Sequence, residues 1–93
     1  MEKEETQQIE LPDLEIEEIL SFIIGLTSSK AIQYLGIPLK PDQESEKDLI
    51  RARVAIDTTS LLVDKLEPYI NEEELKQLKQ MVTNLQLSYV RES

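Results

Sequence analysis

Residues 61–78, LLVDKLEPYINEEELKQL, carry the strongest local structural signals of the chain. Pro68 ends any helix that arrives from the N-terminal side, because proline lacks the amide hydrogen and clashes with the preceding turn. A second helical pattern begins only a few residues later, so the link between the two helices spans about residues 67–70. A link this short forces neighbouring helices to run antiparallel, and the stretch therefore predicts a helical hairpin.

The helix after this link has a well-defined start. Asn71 and Glu74 fit a capping box, while Ile70 and Leu75 occupy the two positions of a hydrophobic staple. We predict a helix over about residues 72–90 with one apolar stripe, because its apolar residues recur at alternating spacings of three and four. The stripe consists of Leu75, Leu78, Val82, Leu85 and Tyr89, widened by Met81.

The helix before the link is predicted over about residues 46–66, with Ser45 and Asp48 as its capping pair. Its core-facing seam has heptad spacing and contains Leu49, Ala52, Ile56, Thr59, Val63 and Leu66. A second, narrower apolar strip lies elsewhere on the same helix, formed by Ile50, Val54 and Leu61. Charged residues border this strip on both sides, which favours a second contact surface over scattered surface aliphatics.

The first helix is predicted over about residues 14–35, with Asp13 as its cap and Gly36 as its stop. Its apolar residues cover about 220° of its circumference, at about 100° per residue. Most of the remaining face is small, because Ser21, Gly25 and Ser29 follow one another at spacings of four. A helix that is apolar on nearly every side must be buried on nearly every side.

Two amphipathic helices of one small chain cannot easily enclose such a helix. We therefore predict an all-α fold: a small three-helix domain, with a central apolar helix and an antiparallel hairpin, assembled as a dimeric helical bundle. The small residues are expected where two helices approach closely, within the chain or between copies. A membrane span is not expected, because the apolar run 19–26 is far shorter than the roughly 20 residues required.

Composition excludes several classes of function. The 93 residues contain no His and no Cys, so the commonest general base, the thiol nucleophile and the commonest transition-metal ligands are absent. No acid falls at a clearly core-facing position where its pKa would rise, and no phosphate-binding glycine loop is present. We therefore expect no catalytic residue, no cofactor and no metal site, and hence no enzyme.

The net charge of −9 argues against binding nucleic acid through phosphate neutralisation. Eight of the 19 acidic residues lie among the first 18 residues, and residues 1–13 are read as a disordered acidic leader before the domain at 14–93. Such a leader solubilises the protein or docks on a basic partner. Lys47, Arg51 and Arg53 form a modest basic patch, which leaves contact with RNA or a ribosome as the alternative function.

The order of several motifs resembles the bacterial domain-of-unknown-function family 1844 over roughly four-fifths of the chain. The matching elements are Leu35-Gly36-Ile37-Pro38 with Pro41, Ala52 to Ile56-Asp57 with Leu61 and Leu62, Asn71 with Glu73 and Glu74, and the ending Tyr89-Val90. The resemblance implies a small bacterial cytoplasmic protein with no established activity. Together with the helix faces, it leads us to expect a non-enzymatic, self-associating module whose partners are itself and an unidentified protein.

Overall fold

The computed structural model describes residues 13–38 and 46–93. They form the helices α1 (Ile16–Tyr34), α2 (Leu49–Leu66) and α3 (Glu72–Glu92), with a 3-10 turn at Glu67–Tyr69 between the last two. No strand occurs in these residues, so the predicted all-helical, three-helix fold is confirmed. None of these helices has the length and hydropathy needed to cross a membrane. The predicted leader lies outside the described residues except for Asp13, and its disorder stays a prediction.

α1 packs against both other helices, and more extensively against α2 than against α3. The backbone N–H of Asp48 donates to the carbonyl of Tyr34 at 2.7 Å, which fixes the start of α2 beside the end of α1. The 3-10 turn then reverses the chain into α3. The core residues form two clusters. One contains Ala31, Leu35, Ala52, Ala55, Ile56 and Leu85. The other contains Ile24, Val63, Leu66 and Val82.

The core faces predicted for α2 and α3 are the buried ones. Val63, Leu66 and Thr59 are at most 1% exposed, and Val82 and Leu85 are buried on the facing side of α3. The one polar group in this seam is satisfied, because the Thr59 hydroxyl lies 2.7 Å from the Thr27 hydroxyl and 2.8 Å from the carbonyl of Ala55. The contact between Thr59 and Thr27 therefore links α2 to α1, and the buried Thr59 hydroxyl is not left unpaired.

α1 begins later than predicted. Its N-cap is Glu15, not Asp13, and its first residue is Ile16 rather than Leu14. The reason is a glutamate at the third helical position: Glu18 Oε1 accepts the backbone N–H of Glu15 at 2.8 Å, which anchors the first turn there. At the other end the prediction is confirmed, since Gly36 has a φ of 89° and ends the helix.

α2 also begins later than predicted, at Leu49 rather than Glu46. Asp48 is its cap, and its carboxylate accepts the backbone N–H of Arg51 at 3.0 Å. Asp48 was expected to support a cap at Ser45, which lies outside the described residues. The bond from Asp48 to Tyr34 holds Asp48 outside helical geometry, so the helix cannot extend back through it.

The start of α3 agrees with the sequence prediction in detail. Asn71 Oδ1 accepts the backbone N–H of Glu74 at 2.8 Å, and Glu74 Oε1 accepts the backbone N–H of Asn71 at 3.3 Å. Ile70 and Leu75 pack against the same core cluster, as the staple requires. The helix continues to Glu92, two residues beyond the predicted end.

Candidate interaction surface

α1 turns one side towards the core and leaves an apolar side exposed. Ile24 and Ala31 are buried, whereas Phe22 is 63% and Leu26 is 51% exposed. At about 100° per residue, Phe22 and Leu26 lie nearly opposite the buried pair. We call the surface formed by Phe22 and Leu26 the outer face of α1. It is the part of the predicted all-round apolar helix that the described residues leave exposed.

The small residues of α1 do not mark a close approach inside the chain. Ser21 and Gly25 are exposed, and Ser29 is half-buried. A Cβ atom built on Gly25 would meet nothing within 4 Å beyond its own helix. Of the two expected locations for a close helix approach, the one within the chain is therefore excluded at Gly25. The other location, between copies, stays a prediction.

α2 carries a second exposed apolar surface on the side opposite its core seam. Ile50 is 81%, Val54 is 60% and Leu61 is 56% exposed. We call these three residues the α2 strip. The buried seam uses Ala52, Thr59 and related positions, so α2 presents two apolar faces, and the described residues 13–38 and 46–93 bury one of them.

Two of the charged residues that border the α2 strip form an ion pair with each other. Arg53 Nε lies 3.7 Å from Asp57 Oδ2, one helical turn further along α2. This exposed pair contributes little to stability. It gives Asp57, in mid-helix beside the apolar strip, a charged partner on the same helix.

The other two members of the basic patch are also ion-paired. Arg51 Nη1 lies 2.9 Å from Asp48 Oδ2, and Lys47 Nζ lies 2.6 Å from Glu92 Oε1. The backbone N–H of Arg51, followed by its guanidinium, lowers the pKa of the Asp48 carboxyl. The hydrogen bond from Lys47 lowers the pKa of the Glu92 carboxyl. All three bases of the patch thus face an acid of the same chain, which weakens the field available to a phosphate.

Two exposed apolar residues of α3 were not singled out by its periodicity. Leu87 is 54% and Val90 is 68% exposed. Neither belongs to the 3-4 stripe; Val90 was marked only as part of the Tyr89-Val90 ending, and no pattern in the sequence marks Leu87. Val90 borders an open groove of about 320 Å³ between α2 and α3, which Arg53 and Tyr89 also line.

A further open groove of about 400 Å³ lies between the end of α1 and α3. Its apolar floor includes Ile32 and Met81, and its rim includes Gln80 and Asn84. None of the described residues lining it is titratable. The groove therefore combines an apolar floor with neutral hydrogen-bonding groups.

Comparison with known proteins adds a family assignment and no function. Neither the curated proteins nor the solved structures contain a significant match to the chain. Residues 17–91 match the family described as Domain of unknown function (DUF1844). This match takes in all three helices except the first residue of α1 and the last residue of α3, and it agrees with the resemblance seen in the motifs. The chain therefore belongs to the DUF1844 family.

Proposed function

We propose that this protein is a non-enzymatic helical module that associates with itself, most simply as a two-fold dimer. The observation that carries the proposal is the concentration of exposed apolar side chains on two helix faces turned away from the core. Phe22 and Leu26 form one of these faces, and the α2 strip forms the other. Contiguous exposed apolar surface of this kind is typical of protein interaction sites.

The size of these faces is sufficient for association. Each of their five side chains has half or more of its surface exposed. Covering these exposed parts is worth on the order of 4–8 kcal/mol per copy, at roughly 1.5–3 kcal/mol for a fully buried side chain. Two copies together reach the range of the estimated 4–15 kcal/mol that association costs in lost freedom of motion. Association that covers both faces is therefore energetically accessible.

Sedimentation of the full chain at micromolar concentration tests the proposal. We expect twice the 10.7 kDa mass of one chain. Phe22→Glu and Val54→Glu made together should shift the protein towards monomer, because they place unpaired charges in both exposed apolar faces. Thr83→Glu, on the polar outer side of α3, is the matched control and should leave the mass unchanged. A folded monomer of the unmodified chain would exclude self-association.

The alternative function, RNA contact through Lys47, Arg51 and Arg53, receives less support from the geometry because all three side chains are ion-paired. RNA binding would weaken steeply with salt and would fall when Arg51 and Arg53 are both replaced by Gln. Binding that meets both conditions at physiological salt would favour this function over the proposed one.

A further inference from the structure

The outer face of α1 has a symmetric layout along the helix. Phe22 and Leu26 lie one turn apart, and both are exposed. Glu18 lies four residues before Phe22, and Lys30 lies four residues after Leu26. Both charged residues are exposed as well. The order along the surface is therefore acid, apolar, apolar, base. The four residues are equally spaced along the helix about a midpoint that is level with Ile24.

The two ends of α1 carry charges of opposite sign. Its only acids, Glu17 and Glu18, are in the first turn, and its only base is Lys30, near the C-terminal end. Lys30 donates a hydrogen bond to Gln33 at 3.1 Å and lies 5.1 Å from the centre of the Tyr34 ring. Both of these partners are neutral, so neither compensates the charge of Lys30.

This layout is complementary to itself in one orientation. Two α1 helices that pair antiparallel bring the acidic end of each beside the Lys30 end of the other. Parallel pairing would instead bring the acids of both copies together, which is unfavourable. An antiparallel pair is also what a two-fold axis perpendicular to the helix produces, with the same surface used by both copies.

We propose that two copies of this chain pair through the outer faces of α1, antiparallel, with the two-fold axis crossing between Phe22 and Leu26. Phe22 of each copy packs against Leu26 of the other, and Glu18 lies level with Lys30 of the other. The open space beside Gly25 leaves room for the second helix. This inference rests on the proposed self-association and specifies which helix forms the contact and in which direction.

Crosslinking through introduced cysteines tests the orientation, because the natural chain contains no Cys. At about 100° per residue, Glu15 and Gln33 have the same angular position around α1 as the centre of the outer face. They also lie at equal distances from Ile24 along the helix axis. In the antiparallel pair, position 15 of one copy is level with position 33 of the other, whereas two equivalent positions are about 27 Å apart along the axis.

We expect a mixture of Glu15→Cys and Gln33→Cys proteins, treated with a short bis-maleimide, to give crosslinks between the two variants. Each variant alone should give few crosslinks. A mixture of Glu15→Cys with Thr83→Cys, whose cysteine lies on the outer side of α3, is the matched control and should not crosslink. Crosslinks between equivalent positions, without the mixed product, would overturn the antiparallel arrangement.

Charge substitution at Lys30 gives a second, independent test. Lys30→Glu should weaken dimerisation about 3- to 10-fold, because it places an acid level with Glu18 of the other copy at two symmetric positions. Lys30→Gln should lie between this variant and the natural chain. Phe22→Glu should abolish the dimer at micromolar concentration. A dimer that survives Phe22→Glu and gives no crosslink between positions 15 and 33 would reject the α1 contact and leave self-association standing. A monomeric natural chain would reject both.

Discussion

α3 and α1 differ in where they place their apolar side chains. The stripe of α3 faces the core, and the opposite side carries Lys76, Lys79 and Thr83, all of them exposed. α1 buries Ile24 and Ala31 on one side and still exposes Phe22 and Leu26 on the other. Among the described residues, the stripe of α3 is thus turned to the core, with Leu87 and Val90 outside it, whereas α1 has apolar residues on two opposite sides. The exposed apolar side of α1 is one of the two faces on which the proposed self-association rests.

The largest expected difference between the two helices comes from the same substitution made in each. Leu85→Ala in α3 should lower the free energy of unfolding by about 2–5 kcal/mol, because Leu85 is buried and its removal leaves a cavity. Leu26→Ala in α1 should change the stability of the isolated chain by much less and instead weaken association. Urea unfolding at several protein concentrations separates these effects, since only the association effect depends on concentration. Equal losses at high dilution would contradict the comparison.

Enlarging the small residue of α1 sharpens the same contrast. The leucine side chain of Gly25→Leu would enter open space within the chain. Because leucine is a much better helix former than glycine, the free energy of unfolding of the single chain should rise by up to about 1 kcal/mol. If another helix lies against this site, overpacking should weaken association by about 1–3 kcal/mol. Gly25→Ala is the control, with a similar gain in helix propensity and little added bulk. The prediction fails if Gly25→Leu sediments as the natural chain does.

The capping box of α3 should matter for folding and not for association. Asn71→Ala should cost about 1 kcal/mol of unfolding free energy, because it removes the acceptor for the backbone N–H of Glu74. Asn84→Ala, at an exposed position in the interior of the same helix, serves as the control and should cost less. Thermal or urea melts measure both variants. An unchanged melt for Asn71→Ala would mean that its side chain does not cap the helix in solution.

The smallest expected effect is a loss of stability in acid. The pKa values of Asp48 and Glu92 are lower in the folded chain than in the unfolded chain. Their contribution is therefore complete above the unfolded-state value of about 4 and disappears as the pH falls through the lower folded value. Glu92→Gln should reduce the loss of stability between about pH 5 and pH 3. Asp64→Asn, at an exposed acid of α2, is the control. A larger acid sensitivity in Glu92→Gln would reverse the predicted sign.

The hairpin and the start of α3 could be predicted from the sequence because their signals are local. Pro68 ends α2 whatever surrounds it, and Asn71 with Glu74 satisfies the first amides of α3 within one turn. The α2 strip could be located for a similar reason: its positions follow from helix geometry once the core seam is known. The starts of α1 and α2 could not be predicted in the same way, because several residues near each start are able to cap a helix.

The sequence by itself determined the number of helices among the described residues, the hairpin and the presence of apolar residues on more than one face of α1 and of α2. Tertiary structure alone decided which side of α1 is buried, because a helix that is apolar all round has no preferred direction in its periodicity. Packing against α2 and α3 selects Ile24 and Ala31 for the core and leaves Phe22 and Leu26 outside. It also decided that α2 begins at Leu49, since the cap at Asp48 is held in place by a long-range hydrogen bond to Tyr34 that no local pattern encodes.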